Sequence, residues 1–279
     1  MPHALRSATA AISAIAAAIS LNATTVQAQQ PPGRGQGAPY RAPRAADGHA
    51  DLNGIWQAVN TANWDLQDHP ARKGPVTALG ASFSIPAGIG VVEGNEIPYQ
   101  PWAAAKKKQN ADSWLTLDPE IRCYMPGVPR ATYSPHPFQI VQSRDRILIA
   151  YEFASASRIV RMTPTEDAPL DSWMGWSRGR WDGDTLVVDV TGLNEQTWFD
   201  RAGNFHSDQL HVVERITAID ADHLSYEATI DDPQTFTRPW KISMPLYRRV
   251  EKNAQLLEFN CIPFVEDLIY GSLRKPSSN

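Results

Sequence analysis

The sequence predicts an all-β protein in which an antiparallel meander closes into a lipocalin-like barrel. Residues 185–191 (TLVVDVT) alternate apolar and polar side chains, which is the period of a half-buried strand. A turn at Asp182-Gly183 separates them from the alternating run 176–181, and a turn at Ala221-Asp222 separates runs 210–217 and 223–230. Hairpins in series without a helical crossover favour a meander. A sheet of about nine or ten strands leaves two sticky edges unless it closes, so a barrel is favoured over the alternative, a two-sheet β-sandwich.

The first 28 residues have the features of a secretory signal peptide. Arg6 precedes a stretch rich in Ala and Ile, and Ala28 supplies the small residue expected before a cleavage site. Removing residues 1–28 changes the formal net charge from −4 to −5, because one Arg and no acid are lost. A mildly acidic chain gives no reason to expect nucleic acid as a partner. The expected location is periplasmic or extracellular, with no transmembrane segment after signal removal.

The mature chain is expected to contain a Pro/Gly-rich disordered leader (29–48), a single β domain (49–275) and a short tail (276–279). A first strand is expected within residues 51–66, a long loop at 74–100, a helix near 102–114 and a Pro-rich surface loop or edge at 122–136. Further strands are predicted at 138–142, 146–153, 157–162, 240–248 and 255–261, with a closing C-terminal amphipathic helix at 264–273.

The two cysteines, Cys123 and Cys261, are predicted to form one disulfide. An even number of cysteines in an exported protein favours pairing, since the compartment is oxidising. The alternative is two buried free thiols.

Several phrases of the chain resemble a family of uncharacterised secreted bacterial proteins. They are DLNGIWQAVNTANWD, CYMPGVPRATY, GRWDGDTLVVDVTGLN, GNFHSDQLHVVERIT and YEATIDDPQTFTRPW, and the resemblance extends over about residues 51–275. It implies an exported single-domain β protein and names no reaction. Many members carry a Cys-His-Glu-Gly-Asn run near the last strand. This chain has Cys261-Ile262-Pro263-Phe264 there, so a role for that His and Glu does not transfer.

The densest group of titratable residues surrounds the strand at 210–217. Glu214 shares the face of Leu210 and Val212, which is taken as the barrel interior, and burial would raise its pKa towards that of a general acid or base. The catalytic hypothesis pairs Glu214 with His206, and His211 is a third candidate that is expected to point outward. The alternative is that an interior Arg or Tyr226 satisfies Glu214 and that the histidines are ordinary surface and loop groups.

A metal site is a weaker alternative for the same stretch. His206, His211 and Asp208 would be its ligands, but zinc requires three convergent ligands and this spacing is not an established one. No cofactor is expected.

Ligand-binding candidates come from the nine tryptophans and from charged residues in the strands. Aromatic side chains suit a pocket for a flat molecule, although core packing accounts for most of them. Acids that share a face with apolar residues can pair with Arg158, Arg161 or neighbouring arginines and anchor an anionic ligand, or simply close a barrel end. The candidates are Trp176, Trp181, Trp198, Tyr226, Arg178, Glu152 and Glu258.

These features lead to three hypotheses. The first is an exported barrel that binds a small apolar or aromatic molecule and performs cofactor-free acid/base chemistry as an isomerase, lyase or hydrolase. The second is a non-catalytic, lipocalin-like ligand carrier, and the third is a structural or assembly protein with a filled core. The sequence has no Gly-x-Ser-x-Gly elbow, P-loop, dinucleotide fingerprint, His-Glu-x-x-His motif or paired CxxC motif.

Overall fold

Nine β-strands close into one barrel in the computed structural model, which describes residues 40–163 and 166–274. Each strand pairs with its neighbour in the chain, and the last strand pairs with the first. The all-β prediction and the closed barrel are therefore confirmed. The strands are β1 (Gly54–Ala58), β2 (Phe138–Gln142), β3 (Arg146–Tyr151), β4 (Ser157–Arg161), β5 (Trp176–Asp182), β6 (Thr185–Thr191), β7 (His211–Ala218), β8 (His223–Asp231) and β9 (Trp240–Arg248).

One strand pair breaks the antiparallel pattern. β4 and β5 run parallel, and two residue pairs join them, Val160 with Ser177 and Arg161 with Arg178. Directions cannot alternate around a closed ring with an odd number of strands, so a nine-stranded barrel needs one parallel neighbour. The short β4–β5 ladder leaves a seam in the barrel wall.

The β5–β6 hairpin has its turn one residue later than predicted. Asp182 pairs with Thr185, so the two loop residues are Gly183 and Asp184. Gly183 has a φ of 61°, and this left-handed conformation is accessible to glycine at little cost.

The strand directions place three long connections at one end of the barrel. β1, β6 and β8 run in the same direction, as the pairings between them show. The segments that follow them, residues 59–137, 192–210 and 232–239, therefore leave from the same end, which we call the long-connection end. The opposite end carries the tight turns after β2, β5 and β7.

Short helices lie mainly in these long connections. The predicted helix near 102–114 is present as α1 (Pro101–Asp112) followed by α2 (Trp114–Leu117), and the predicted C-terminal helix is present as α4 (Val265–Tyr270). The remaining short helix is α3 (Arg130–Tyr133). Short 3-10 segments occupy Thr77–Phe83, Glu93–Asn95, Pro119–Arg122, Phe153–Ser155 and Gly271–Leu273. Within the two described ranges, no helix has the length and apolar character needed to cross a membrane.

The strand predicted at residues 255–261 is wrong. β9 already pairs with β1, and β1 pairs with β2 on its other side, so no edge of β1 is left for another strand. Residues 255–261 instead run along the surface, with Leu257 64% exposed. The disulfide between Cys123 and Cys261, with a Cα–Cα distance of 5.7 Å, fixes this segment and confirms the predicted pairing.

The prediction of a surface loop or edge at residues 122–136 is wrong for the middle of this segment. Residues 126–134 are buried, and Val128 and Tyr133 belong to the main core. Proline has no N–H group that burial would leave without a partner, which makes a Pro-rich segment less costly to bury. The Tyr133 hydroxyl donates a hydrogen bond to the Phe199 carbonyl at 2.8 Å.

Residues 40–48 belong to the same compact unit as the barrel, whereas the predicted β domain begins at residue 49. Arg44 forms a β-bridge with Ala50 and an ion pair with Asp184 in the β5–β6 turn. Residues 40–48 are therefore part of the fold, in contrast to the predicted disorder of 29–48. The predicted signal peptide (1–28), the rest of the leader (29–39) and the tail (276–279) lie outside the described residues.

The barrel interior is occupied by large buried side chains. Inward-facing aliphatic residues of β6, β7, β8 and β9 are almost completely inaccessible to solvent, as the alternating burial of these strands shows. The largest members of this core include Trp56, Phe138, Tyr226, Ile140, Ile147 and Ile149.

Candidate functional site

Glu214 lies in the barrel interior, as its position on the apolar face of β7 predicts. Its side chain is fully buried, and both of its oxygens accept hydrogen bonds from Arg158 of β4: Nη1 to Oε2 at 2.6 Å and Nη2 to Oε1 at 2.9 Å. The Tyr226 hydroxyl donates a third hydrogen bond to Oε1 at 2.8 Å. Both carboxylate oxygens thus accept hydrogen bonds from protein side chains, which is the geometry of a structural ion pair.

Arg158 is held from its other side as well. Its Nε donates to the Tyr151 hydroxyl at 3.0 Å, so the guanidinium joins β4 to β3 as well as to β7. Burial opposes the charged form of Arg158, but the adjacent carboxylate of Glu214 raises its pKa overall. Burial raises the pKa of Tyr226, and the charge of Glu214 adds to this effect. The Arg158 guanidinium therefore stays protonated and the Tyr226 phenol stays neutral at ordinary pH.

His206 lies elsewhere, in the long connection between β6 and β7. Its Nδ1 lies 2.7 Å from the Ser207 carbonyl, and its Nε2 lies 2.6 Å from the Thr197 hydroxyl. A carbonyl can only accept, so Nδ1 carries the proton, and in the neutral ring Nε2 accepts from Thr197. Burial lowers the pKa of His206, which favours this neutral form. No hydrogen bond joins His206 to Glu214, so the predicted pair does not form a direct acid/base couple.

Asp232, in the connection between β8 and β9, holds Ser207 in place, and the Ser207 carbonyl accepts the hydrogen bond from Nδ1 of His206. The Ser207 backbone N–H and hydroxyl donate to the two oxygens of Asp232 at 2.7 and 2.8 Å. Asp232 is 1% exposed. The orientation of His206 is thus set by two long connections at the same end of the barrel.

His206 borders a cleft of about 510 Å³ at the long-connection end. One wall is a face of helix α1, where Trp102, Lys106 and Asn110 follow one another at a spacing of four residues. That spacing places side chains on the same helical face. The opposite wall comes from the β6–β7 connection and includes Trp198 and Phe205. The volume is within the range of small-molecule sites, roughly 300–1,000 Å³.

A small hairpin supports the second wall. Trp198 and Phe205 form an antiparallel bridge, and the Phe199 N–H donates to the Asn204 carbonyl at 2.7 Å. Gly203 at its tip packs against α1, where a Cβ would lie 2.5 Å from the Lys107 carbonyl oxygen, and has a φ of 84°. Only glycine fits this close approach, which fixes the distance between the two walls.

Asp200 stabilises the turn of this hairpin from within. It accepts hydrogen bonds from the Leu66 N–H at 2.9 Å, from the Asn204 N–H at 3.1 Å and from the Asn204 side-chain amide at 2.5 Å. Burial raises the pKa of Asp200 to about 7, the nearby charge of Asp65 adds to the shift, and these hydrogen bonds oppose it. The group is buried behind the cleft wall and is not among the residues that line the cleft.

Charged side chains give the cleft an excess of positive charge. Lys106 and Arg122 line it together with one acid, Glu195. Among the residues that the structure describes, neither cation forms an ion pair with a carboxylate. Arg122 is held in place because its Nε and Nη2 donate to the Thr116 carbonyl at 3.2 and 2.9 Å.

The alternative metal site is not supported. His206 is engaged with Thr197, His211 on the outer face of β7 contacts Asp189 at 3.0 Å, and Asp208 accepts from Gln209 at 3.2 Å. In residues 40–163 and 166–274, no three His, Cys, Asp or Glu side chains form a group that could hold a metal ion. His211 points outward, as predicted.

The other aromatic candidates lie apart from one another. Trp176 lines a second cleft, of about 400 Å³, at the β4–β5 seam, where the Arg161 guanidinium lies 3.4 Å from the centroid of its ring. Trp181 stacks on His49 with ring centroids 4.8 Å apart. Of the predicted tryptophans, Trp198 alone borders the same cleft as His206.

The remaining charged candidates lie outside both aromatic clefts. Arg178 on the outer face of β5 pairs with Asp167 at 2.8 Å and with Asp189 at 3.2 Å. Glu152 accepts from the Leu257 N–H at 2.8 Å and lies 3.5 Å from His136. Glu258 is exposed on the segment that follows β9.

Sequence reasoning missed most of the cleft. Trp102, Lys106 and Asn110 carry a readable signal, because a spacing of four residues on a predicted helix marks one face, but nothing in that spacing shows what the face opposes. It also missed a buried ion pair in the 59–137 connection, in which Arg130 donates to both oxygens of Asp118 at 2.8 and 2.9 Å.

No protein-family model matches this chain, and no curated protein matches it significantly. The class is therefore defined by the structure itself: a closed nine-stranded barrel with one disulfide and an aromatic cleft at its long-connection end.

Proposed function

We propose that this protein binds a small aromatic molecule in the cleft between α1 and the β6–β7 connection. The observation that carries the proposal is the shape and lining of that cleft. Trp102 and Phe205, with ring centroids 6.0 Å apart in an edge-to-face arrangement, line the cleft together with Trp198. Aromatic side chains bind flat molecules through area burial and through preferred ring geometries.

The barrel interior is a less suitable site than the cleft. Lipocalin-like carriers hold their ligand inside the barrel, whereas large side chains and the Arg158–Glu214 pair occupy this interior. The proposal therefore keeps the carrier hypothesis but moves the ligand from the interior to the long-connection end.

Export remains part of the proposal. The disulfide between Cys123 and Cys261 fits a protein of an oxidising compartment. The signal-like residues 1–28 and the resemblance to secreted bacterial proteins support a periplasmic or extracellular location.

Calorimetric titration with 2-naphthoate tests the binding proposal. Trp102 is 56% exposed, so Trp102→Ala should leave the fold intact and weaken binding about 2- to 12-fold, the loss expected for one aromatic contact. Trp176→Ala is the matched control, because Trp176 lines the other cleft. If Trp176→Ala weakens binding and Trp102→Ala does not, the ligand binds at the β4–β5 seam and the proposal is wrong.

Hydrolytic catalysis is a second candidate function, favoured by the contact between Thr197 and His206. A hydroxyl that donates to a neutral, oriented imidazole has the arrangement of an activated nucleophile. Thr197 is only 2% exposed, however, which favours the carrier over the enzyme. Hydrolysis of 2-naphthyl acetate that persists in Thr197→Ser and disappears in Thr197→Val, with the fold intact, would establish the enzyme. Equal background rates in all three proteins would exclude this role.

A further inference from the structure

We infer that the aromatic ligand carries a carboxylate, which Lys106 and Arg122 bind. The inference rests on the proposed function, because it names the chemical class that the same cleft selects. It starts from the two cations of the lining, which lack acidic partners among the residues that the structure describes.

The rest of the chain shows how uneven this charge distribution is. Most buried or half-buried arginines of the fold are paired: Arg158 with Glu214, Arg130 with Asp118, and Arg201 with Glu120. The neighbouring Lys108 on α1 pairs with Asp112 at 2.6 Å. Arg122, which is half-buried at the cleft, departs from this pattern, and Lys106 is an exposed lysine that has no acidic partner among the described residues.

The charges that face these cations do not cancel them. Glu195 is an exposed acid of the same lining and offsets one positive charge. His206 contributes no charge near neutral pH, because burial lowers its pKa. The cleft therefore retains a net positive charge of one and favours an anion over a neutral or cationic molecule.

The positions of the side chains also specify how the anion is attached. Lys106 follows Trp102 by one helical turn on the same face of α1, so a ring against Trp102 and Phe205 places its substituent towards the ammonium group. Arg122 presents a guanidinium that Thr116 holds in place, and this planar fork suits a carboxylate. An aromatic carboxylate satisfies both requirements in one molecule.

The experiment compares 2-naphthoate with 2-naphthamide, which have the same ring system and differ in charge. At low ionic strength the carboxylate should bind about 2- to 10-fold more tightly, as expected for one or two partly exposed ion pairs. The difference should decrease at about 1 M salt, where the screening length falls to about 3 Å. Lys106→Met should weaken the binding of 2-naphthoate about 2- to 5-fold and leave the affinity for 2-naphthamide unchanged.

Lys108→Met is the matched control, because it removes the same charge from the same helix at a position outside the cleft lining. Arg122→Gln provides a second test of the anion contact. If the two probes bind equally, or if Lys108→Met has the same effect as Lys106→Met, the inference of a carboxylate ligand is wrong while the cleft remains a binding site. If neither probe binds, the proposed function itself fails.

Discussion

Removal of Arg158 should be among the most destabilising single substitutions in this barrel. Arg158→Met leaves the Glu214 carboxylate fully buried with the Tyr226 hydroxyl as its remaining hydrogen-bond donor. Breaking a buried ion pair from one side costs about 3–5 kcal/mol, because an uncompensated charge remains in the interior. At roughly 2–4 °C per kcal/mol for a domain of this size, the melting temperature should fall by about 6–20 °C.

The double variant Arg158→Met/Glu214→Leu should recover most of the lost stability. Replacing both partners by apolar side chains removes the buried charge, and what remains is the cost of about 1–3 kcal/mol for a Tyr226 hydroxyl without its acceptor. Urea unfolding of the four proteins of the cycle, followed by circular dichroism, gives the coupling free energy. A coupling below about 1 kcal/mol would refute the structural assignment of the pair.

Glu214→Gln belongs to the same test because it separates the structural role from the catalytic one. It leaves the Arg158 guanidinium buried without a counter-charge, so the free energy of unfolding should fall by about as much as in Arg158→Met. A variant that lost ligand turnover at unchanged stability would instead restore the catalytic hypothesis for Glu214.

Three further predictions concern the disulfide, the β5–β6 turn and a buried acid. Thiol titration of the unfolded, unreduced protein should find no free thiol, and two reactive thiols per chain would contradict the pairing. Cys123 and Cys261 are 138 residues apart, so reduction of the disulfide should lower the free energy of unfolding by about 5 kcal/mol on the chain-entropy view. Gly183→Val should cost about 1–2 kcal/mol because of its positive φ, whereas Asp182→Asn should stay within about 0.5 kcal/mol; equal melting temperatures would count against this conformation. The pKa of Asp200 is raised from about 3.9 when unfolded to about 7 when folded, so the native state binds more protons and stability should decrease as pH rises from about 4 to 7. In Asp200→Asn this part of the pH dependence should disappear, and an unchanged pH profile of urea unfolding would exclude the assignment.

The strand pattern was predictable because it depends on local alternation. Strands such as β6 and β8 carry apolar residues at every second position, so both their existence and their inward faces can be read from the sequence. The burial of Glu214 was predictable from the same alternation along β7. The identity of its partner did not, because Arg158 is one of several arginines on nearby strands and only the closed register brings it to β7.

The long connections were much less predictable, because they are stabilised by contacts with distant residues. The proline-rich stretch around α3 looked like a surface loop, yet it is buried against residues 192–210 through Tyr133. The cleft depends on the approach of Gly203 to α1, a contact between residues about 100 positions apart, for which local sequence gives no signal.

The way the barrel is filled explains why a binding site would lie outside it. A barrel of about eight strands can either fill its interior with side chains or leave room for one small ligand. Here Trp56, Phe138 and the Arg158–Glu214 pair fill the interior, and both oxygens of the Glu214 carboxylate accept hydrogen bonds from Arg158. Three long connections lie at one end of the barrel and form the cleft there. Its wall includes Lys106, which has no acidic partner among the described residues, and Trp102, which is 56% exposed. Stability and ligand binding therefore depend on different residues: substitutions in the interior should change stability, and substitutions at Trp102, Lys106 or Trp198 should change what is bound.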